Sequence, residues 1–491
     1  MKAKLSELIK HFFIYGLGSI AQSVTSFILL PIITKHLSAA DYGTYVLINM
    51  IGLVAGTVFY FGITSALPRS FFDYSEDKDR NTILSTALFL ILCGAGIQII
   101  SGLILGNKIS LYFFHTDNYT QMIQVMLIAT AVGFTNTFFQ TYFRLLNKSY
   151  TVITQGLVAS FLNFIVAIVL FNITTLTIYI PIISYFISQL AIFIHSIWLS
   201  RKNIQFSFNK IEAKLMLKFG IPTVLVSFTM MAFEWSDRFF LNKYLTLSEV
   251  GIYSFAYKFG SLVNPLLIAP FAQIWNPLAM KYKDSEDIKS FTSKVFTLYF
   301  VIGSFFCLSA CSFLDELIIF FVKNADYHKG IFLIPMIMPA IFIYGSNNIS
   351  NAGFLYKRKT PEISLICALF AILSVLASYL LIPKFGYIGA ALSTLIIYLT
   401  LSIALLYRSL FYFSFSIELK KILASITFNF FIIYLNYNIA VPNFFLRIGM
   451  KLGFIILSFI ASLSLLFGKD TFRIIKKPII ILELIKGRET T

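Results

Sequence analysis

The sequence predicts an all-α polytopic membrane protein of about 14 transmembrane helices, in which two parallel-repeat six-helix lobes surround a central lumen and two C-terminal helices follow. Three observations lead to this fold class. Of the 491 residues, 58% are hydrophobic and only 12% are charged, whereas soluble domains average about 25% charged residues. Apolar runs of about 18 residues or more recur along the whole chain, and in lipid such runs form helices because no water satisfies an open backbone. Finally, short motifs of the first half return in the second half.

Fourteen apolar runs are long enough to cross about 30 Å of hydrocarbon. They lie near residues 12–34, 43–67, 82–106, 121–143, 151–172, 176–199, 216–242, 248–278, 291–313, 330–355, 362–382, 386–410, 419–440 and 444–467. Pro68 stands at the end of the second run and Pro277 at the end of the eighth, which also contains Pro265 and Pro270. Proline inside a helix removes a backbone hydrogen bond, so both spans either bend at these breaks or tolerate the proline without a bend, as membrane helices do.

The basic residues predict the orientation of the chain. Lys and Arg number 39 against 22 Asp and Glu, which gives a net charge of +17. If the N-terminus is cytoplasmic, about three quarters of the Lys and Arg residues fall in cytoplasmic loops and termini, as the positive-inside rule requires. We therefore expect both termini in the cytoplasm. Because the bases are dispersed over short loops rather than gathered in one patch, nucleic acid is not expected as a partner.

Three motifs of the first half recur in the second half at nearly constant spacing. They are residues 37–45 with 245–253, residues 75–77 with 285–287, and Asn136, Gln140 and Phe143 with Asn347, Asn351 and Phe354. Lobes with an even number of spans start on the same side of the membrane, so the repeats are parallel. The predicted domains are an N-terminal six-helix lobe (1–200), a basic cytoplasmic linker running into the seventh span (201–218), a C-terminal six-helix lobe (211–410), spans 13 and 14 (411–467) and a basic cytoplasmic tail (468–491).

The best conserved spacing between the two halves concerns two helix starts. Ser38 and Asp41 in the first copy, and Thr246 and Glu249 in the second, have the spacing of a capping box, in which the side chains satisfy free backbone N–H groups. Capping therefore explains these acids better than catalysis or binding does. Gly43 and Gly251 follow on the first turns and are expected to let helices pack closely.

No motif of an enzyme is present. The sequence contains no phosphate-binding P-loop, no Gly-rich dinucleotide turn and no His/Cys spacing of a metal site, so neither a cofactor nor a metal is expected. The protein is predicted to be a membrane transporter rather than an enzyme. Without an ATP site, a gradient or a partner would have to drive transport.

Apart from Lys218 and Glu249 at their ends, the apolar seventh and eighth spans contain four charged residues: Glu234, Asp237, Arg238 and Lys258. A charge near the bilayer centre costs about 2.5–3.5 kcal/mol on insertion scales, so such residues normally face a partner or a water-filled cavity. One interpretation is a structural ion-pair cluster between the two spans, including a pair between Glu234 and Arg238, which are four residues apart on one helical face. The other is a lumen wall in which Arg238 and Lys258 donate to the phosphate oxygens of an anionic ligand.

Two further sets of polar residues belong to the candidate site. Arg69 and Arg144 lie at inner span ends, where they are either lumen bases or positive-inside anchors. Asn136 and Gln140 in one lobe, with Asn347 and Asn351 in the other, form a polar strip. Such amides either hydrogen-bond between helices or contact a sugar, and the first role is the more common one.

Several stretches resemble the polysaccharide transporter family, the Wzx-type repeat-unit flippases of the multidrug/oligosaccharidyl-lipid/polysaccharide exporter superfamily. They include the Ser236-Asp237-Arg238 segment, and the others are residues 15–19, 37–45, 62–72, 250–253, 269–277 and 381–391. Asp237 and Arg238 match the aspartate–arginine pair that the family has at its seventh span. The corresponding part of the first lobe, residues 27–34, has no charged pair, so the lumen is expected to be less symmetric than the backbone.

The resemblance implies a flippase that moves an undecaprenyl-pyrophosphate-linked oligosaccharide (an O-antigen, capsule or exopolysaccharide repeat unit) across the bacterial cytoplasmic (inner) membrane by alternating access. A coupling proton or sodium ion is expected, bound by Glu234 or Asp237. A polysaccharide polymerase and a chain-length regulator are the expected protein partners. The alternatives are a multidrug cation antiporter of the same superfamily, a peptidoglycan-precursor flippase, and a membrane-embedded glycan polymerase or ligase.

Overall fold

The computed structural model describes residues 25, 27–74, 76–175, 177–205, 207–438 and 444–467, and these residues are helical or lie in connecting turns, with no strand among them. The helices are α1 (Phe27–His36), α2 (Ala39–Phe59), α3 (Ile63–Phe72), α4 (Asp77–Phe114), α5 (Thr120–Leu145), α6 (Ser149–Ile173), α7 (Ile180–Ser200), α8 (Lys210–Tyr244), α9 (Leu247–Gly260), α10 (Ala269–Lys281), α11 (Ile288–Ser312), α12 (Leu314–Phe321), α13 (Ile334–Gly345), α14 (Asn347–Ser350), α15 (Ala352–Tyr356), α16 (Thr360–Tyr412), α17 (Leu419–Asn438) and α18 (Phe444–Phe467).

The predicted spans coincide with these helices. Within the described residues, 11 helices are long and apolar enough to cross a membrane, so the chain is a multi-pass membrane protein. The long helix α16 covers two predicted spans, 362–382 and 386–410, which meet at a kink where Gly386 has a φ of 60° and a ψ of −140°. The first predicted span is described only from residue 25 onward, and the tail 468–491 lies outside the described residues.

The second span does not break at Pro68. Pro68 lies inside helix α3, which tolerates it, and the chain instead breaks between α2 and α3, where Phe61 and Gly62 have positive φ angles. The reason is a close approach of two backbones: a Cβ atom on Gly62 would lie 2.2 Å from the Gly220 carbonyl oxygen of α8. A left-handed conformation in such close contact favours glycine.

The eighth predicted span also breaks before its last proline. A five-residue π-helix, Asn264–Ile268, separates α9 from α10 and has Pro265 in its first turn. Pro277 lies inside α10, where the helix continues around it. The span therefore does not break at Pro277, whereas the disturbance near Pro265 agrees with the expected loss of a backbone hydrogen bond.

Contacts divide the chain into two compact units. The first comprises Met1–Phe255, Val322–Lys329 and Ala368–Ser393, and its helices are joined by buried amide side chains. The Gln98 side chain donates from α4 to Thr130 Oγ1 on α5 at 2.8 Å, and the Gln155 side chain donates from α6 to Ser196 Oγ on α7 at 3.0 Å. Such bonds hold membrane helices together because lipid provides no hydrophobic force between them.

The second unit comprises Ala256–Phe321, Gly330–Cys367 and Thr394–Thr491, and α17 and α18 are built into it by a polar seam. Asn429 of α17 donates to Ser304 of α11 at 2.9 Å and accepts from Ser458 of α18. Near one end of this seam, Lys451 donates to both carboxylate oxygens of Glu316 at 2.8 Å. These contacts make the last two spans an integral part of this unit.

Burial raises the pKa of the Asp315 carboxyl, which is adjacent to Glu316, while the charge of Lys451 opposes that rise.

Candidate functional site

The charged segment 234–238 lies near the end of α8, just before the turn that leads into α9. That turn is fixed by the predicted capping box. The Glu249 backbone N–H donates to Thr246 Oγ1 at 3.3 Å, and the Glu249 carboxylate accepts from the Thr246 backbone N–H at 3.1 Å. The first copy has the same arrangement at Ser38 and Asp41, so both acids are helix caps as expected.

Asp237 and Arg238 form an ion pair that is almost completely buried. Their exposed fractions are 2% and 4%, and Arg238 Nη1 lies 2.9 Å from Asp237 Oδ1. The Tyr253 hydroxyl of α9 donates to the other carboxylate oxygen of Asp237. Arg238 Nη1 also donates to the backbone carbonyl of Glu234.

Two aromatic rings enclose the Arg238 guanidinium. Its Cζ atom lies 5.0 Å from the centre of the Trp235 ring and 5.5 Å from that of the Tyr253 ring. Both distances fall in the range of cation–π attraction, which strengthens when the cation is desolvated. The ion pair itself lies within α8, and it is joined to α9 by the hydroxyl and the ring of Tyr253.

The partners within this cluster differ from the predicted ones. The sequence suggested an ion pair between Glu234 and Arg238, but Arg238 uses the carboxylate of Asp237 and only the carbonyl of Glu234. Arg238 as a donor to phosphate stays a prediction, and it requires a conformation in which the guanidinium is uncovered. The Glu234 side chain is exposed on α8, and Lys258 is exposed near the end of α9.

The buried pair has no counterpart in the other copy of the repeat. The offset between residues 37–45 and 245–253 places Leu29 and Leu30 of α1 at the positions of Asp237 and Arg238. Both leucines are buried. The charged pair is thus specific to the second copy, which agrees with the asymmetry expected from the sequence.

The two copies of the repeated motif pack directly against each other. A Cβ atom on Gly43 would lie 2.0 Å from the carbonyl oxygen of Leu247, and one on Gly251 would lie 1.9 Å from that of Ala39. The contact is reciprocal, because Ala39 and Leu247 are equivalent positions of the repeat. The expectation that Gly43 and Gly251 permit close helix packing is confirmed, and each glycine contacts the other copy.

Arg69 and Arg144 are exposed at the ends of their helices. Arg69 lies in the last turn of α3, with its guanidinium 5.6 Å from the ring of Phe219 on α8. Arg144 lies in the last turn of α5, where a positive charge favours the helix dipole. Both positions suit a basic anchor at a helix end, and a role of either residue in a lumen stays a prediction.

The four amides of the polar strip have different surroundings. Asn136 is buried and donates to the Gln189 side chain on α7 at 2.8 Å, which is the inter-helix role. Gln140 is partly buried one turn further along α5. Among the described residues, both amide atoms of Asn347 and the Oδ1 atom of Asn351 are buried without a hydrogen-bond partner. The equivalent of Asn136 in the second copy therefore lacks the bond that Asn136 makes.

A family model described as "Polysaccharide biosynthesis protein" matches residues 8–283 of the chain. The chain belongs to this family. The matched segment contains α1 to α10 and thus both copies of the repeated motif and the buried Asp237–Arg238 pair. The resemblance seen in the sequence is confirmed. No curated protein has significant sequence similarity to the chain.

Solved structures share the fold over nearly the whole chain. The structure of the lipid II flippase MurJ in an inward closed conformation matches with a TM-score of 0.74 and 16% identity, covering 94% of this chain and 99% of that one. An inward-facing multidrug resistance MATE transporter of the MOP superfamily matches with a TM-score of 0.65 and 13% identity, covering 80% and 93%. A MOP superfamily transporter from Pyrococcus furiosus matches with a TM-score of 0.58 and 14% identity, covering 82% and 94%. These likenesses establish the predicted all-helical transporter fold.

Sequence reasoning missed the enclosure of Arg238. Trp235 and Tyr253 were visible only as residues of an aromatic-rich span and of a repeated motif. Tyr45 occupies the position of Tyr253 in the first copy, which has no charged pair. The repeat therefore gave no signal for the hydrogen bond between Tyr253 and Asp237.

Proposed function

We propose that the protein is a flippase that carries an undecaprenyl-pyrophosphate-linked oligosaccharide, an O-antigen, capsule or exopolysaccharide repeat unit, across the bacterial cytoplasmic membrane. The match of residues 8–283 to the polysaccharide biosynthesis family carries the proposal. The fold shared with a flippase of another lipid-linked sugar supports it. The lipid tail of the substrate would stay in the bilayer while the pyrophosphate and sugars cross.

The buried pair divides the candidate residues into two roles. We assign Asp237 and Arg238 to holding α8 against α9, because their charges neutralise each other and aromatic rings cover the cation. Lys258 and Glu234 are exposed and are the better candidates for a direct role. Lys258 would donate to pyrophosphate oxygens, and Glu234 would bind a coupling proton or sodium ion.

Alternating access requires the two copies of the repeat to move relative to each other. The reciprocal contact of Gly43 with Leu247 and of Gly251 with Ala39 is then one of the contacts that separate during the cycle. The atoms nearest to each glycine there are backbone atoms of the other copy. Separation would therefore break van der Waals contacts between the two backbones.

The test is restoration of surface polysaccharide in a bacterial strain that lacks its own repeat-unit flippase. We expect the wild-type chain to restore it and Lys258→Ala to lower the flipping rate by roughly tenfold, since a hydrogen bond to a charged group contributes about 1.5–3 kcal/mol. Lys243→Ala is the matched control, because Lys243 is exposed at the end of α8 and its Nζ lies 5.4 Å from the ring of Tyr244. Protein levels must be equal in all strains.

Two results would contradict the proposal. Drug resistance without surface polysaccharide would indicate a multidrug antiporter, and rescue of a strain that lacks lipid II flipping would indicate a peptidoglycan-precursor flippase. Equal polysaccharide with Lys258→Ala and Lys243→Ala would remove Lys258 from the site while leaving the transport function in place.

A further inference from the structure

The first turns of α8 present two adjacent exposed stripes of opposite character. Ile211, Leu215 and Phe219 form an apolar stripe, with exposed fractions of 72%, 51% and 39%. The exposed residues Lys210, Lys214 and Lys218 form a basic stripe. Each lysine directly precedes a residue of the apolar stripe, so the basic stripe lies about 100° away around the helix.

The acid of this helical segment is directed away from the lysines. Glu212 is buried on the opposite face, where its carboxylate accepts from the Tyr74 hydroxyl at 2.9 Å. That hydrogen bond raises the pKa of Tyr74. The exposed surface of the first turns is therefore purely apolar and basic.

The length of α8 places these turns at the membrane surface. With 35 residues, the helix is about 52 Å long at 1.5 Å per residue, whereas the hydrocarbon core is about 30 Å thick. The excess leaves the first turns of α8 at the level of the lipid headgroups. There, lysines meet phosphates, and the adjacent apolar stripe meets the beginning of the acyl chains.

A cavity of about 290 Å³ lies next to the start of α8. One wall is formed by Ile204, Gln205, Ser207 and Phe208 of the linker before α8, and the other by α4, with Leu88, Phe89 and Leu92. Phe89 and Leu92 are also exposed on the outer face of α4, so the cavity is continuous with a surface suited to lipid. The volume is far larger than the roughly 30 Å³ that one water molecule occupies.

The cavity is built by specific hydrogen bonds. The Gln205 backbone N–H donates to Ser85 Oγ at 2.9 Å, and the Asn209 backbone N–H donates to Thr86 Oγ1 at 3.0 Å, which fixes the linker on α4 at both ends of the cavity. Between them, the Ser207 Oγ atom in the lining is shielded from solvent and has no partner among the residues that the structure describes.

We propose that this corner of the molecule is a binding site for an anionic glycerophospholipid of the bilayer. Its phosphate binds to Lys210, Lys214 and Lys218, and one acyl chain follows the Ile211–Phe219 stripe into the cavity between the linker and α4. Charge complementarity selects the anionic headgroup, because each lysine near a membrane surface attracts anionic lipid. The site does not depend on which substrate the protein transports.

The test uses the purified full-length chain in a neutral detergent and measures bound lipid by native mass spectrometry. The probes are phosphatidylglycerol and phosphatidylcholine with identical acyl chains. We expect phosphatidylglycerol to bind preferentially, with a preference that weakens as salt rises. The triple variant Lys210→Gln/Lys214→Gln/Lys218→Gln should lose phosphatidylglycerol affinity on the order of tenfold or more. The control variant Lys357→Gln/Lys359→Gln/Lys420→Gln removes the same charge from other exposed positions and should bind like the wild type.

A second variant tests the cavity. Ser207→Leu fills space at the linker wall without changing charge, so it should lower the affinity for phosphatidylglycerol while all three lysines remain. Equal binding of both lipids by the wild type, equal losses in the two triple variants, or unchanged binding by Ser207→Leu would each overturn the proposal. Retention of an isoprenyl pyrophosphate instead of phosphatidylglycerol would also overturn it, because the site would then belong to the substrate's carrier.

Discussion

The Asp237–Arg238 pair shows why a charge inside a membrane span does not identify a ligand site by itself. Burying an ion pair costs several kcal/mol of desolvation per ion, and the cost is offset only if the remaining hydrogen-bonding groups are satisfied. Tyr253 and the Glu234 carbonyl provide such bonds here. The sequence identified the charged residues, but their partners depend on side chains of α9 that no spacing rule specifies.

The first residue-level prediction concerns that pair. Asp237→Asn leaves the buried Arg238 without its carboxylate and should destabilise the protein by about 3–5 kcal/mol. Asp284→Asn removes a carboxylate whose oxygen lies 3.9 Å from Lys283 at an exposed position, and it should cost less than about 1 kcal/mol. Denaturation of both variants in detergent measures the difference. Equal losses would mean that the Asp237–Arg238 contact does not stabilise the fold.

The second prediction uses two glycines with opposite surroundings. Gly43→Ala places a methyl group against the Leu247 carbonyl, and since backbone atoms cannot yield as a side chain can, it should destabilise by about 1–3 kcal/mol. Gly96→Ala adds a methyl group where nothing lies within 4 Å, so it should be neutral or stabilise by about 0.5–1 kcal/mol through helix propensity. Thermal unfolding of the two variants in the same detergent is the measurement. If Gly96→Ala destabilised the protein as much as Gly43→Ala does, that result would contradict the packing argument.

At the scale of elements, the sequence predicted the long apolar helices that the structure describes, but it missed the short helix α12 and misplaced the breaks. Apolar length and loop charge decide where a membrane helix exists, and both are local properties of the chain. The position of a bend depends on a neighbour: Gly62 adopts a positive φ because the backbone at Gly220 approaches it. Pro68 was a visible signal for a bend, yet the helix had already broken nearly two turns earlier, at Phe61 and Gly62.

The polar seam of α11, α17 and α18 gives the prediction at this scale. Asn429→Ala removes the amide that bonds to Ser304 and accepts from Ser458. Hydrogen bonds between membrane helices average about 0.6 kcal/mol each, so the variant should lose roughly 1–2 kcal/mol. Asn438→Ala at the exposed end of α17 loses, among the described residues, a bond to the Tyr434 carbonyl of its own helix. It serves as the control and should unfold like the wild type.

For the whole molecule, the sequence predicted the fold class and the family, because hydropathy and repeated motifs extend over the full chain. It predicted less of the candidate site. Capping acids and close-packed glycines follow from local rules, and the structure confirms both. The direct roles of Lys258, Glu234, Asn347 and Asn351 depend on which surface each side chain faces during transport, and that is a property of conformations rather than of spacing.

Orientation is the prediction that belongs to the whole molecule. In a variant without the four cysteines, Lys78→Cys places a single thiol in the first turn of α4 and Asn118→Cys places one just beyond its other end, both at exposed positions. If the N-terminus is cytoplasmic, a membrane-impermeant maleimide should label Asn118→Cys in intact cells, and it should label Lys78→Cys only after permeabilisation. The reverse pattern would invert the predicted topology. Labelling of both in intact cells would contradict a single span between them.

The reciprocal contact of Gly43 with Leu247 and of Gly251 with Ala39 has the form of an isologous interface, in which residue i touches residue j and j touches i. Such an interface is normally found between two identical subunits with two-fold symmetry. Its presence within one chain fits a homodimeric ancestor whose two genes fused. In the ancestor, one glycine substitution would have damaged both sides at once. In the fused chain each side can vary alone, and equivalent positions do differ: one copy has Asp237 and Arg238 where the other has Leu29 and Leu30.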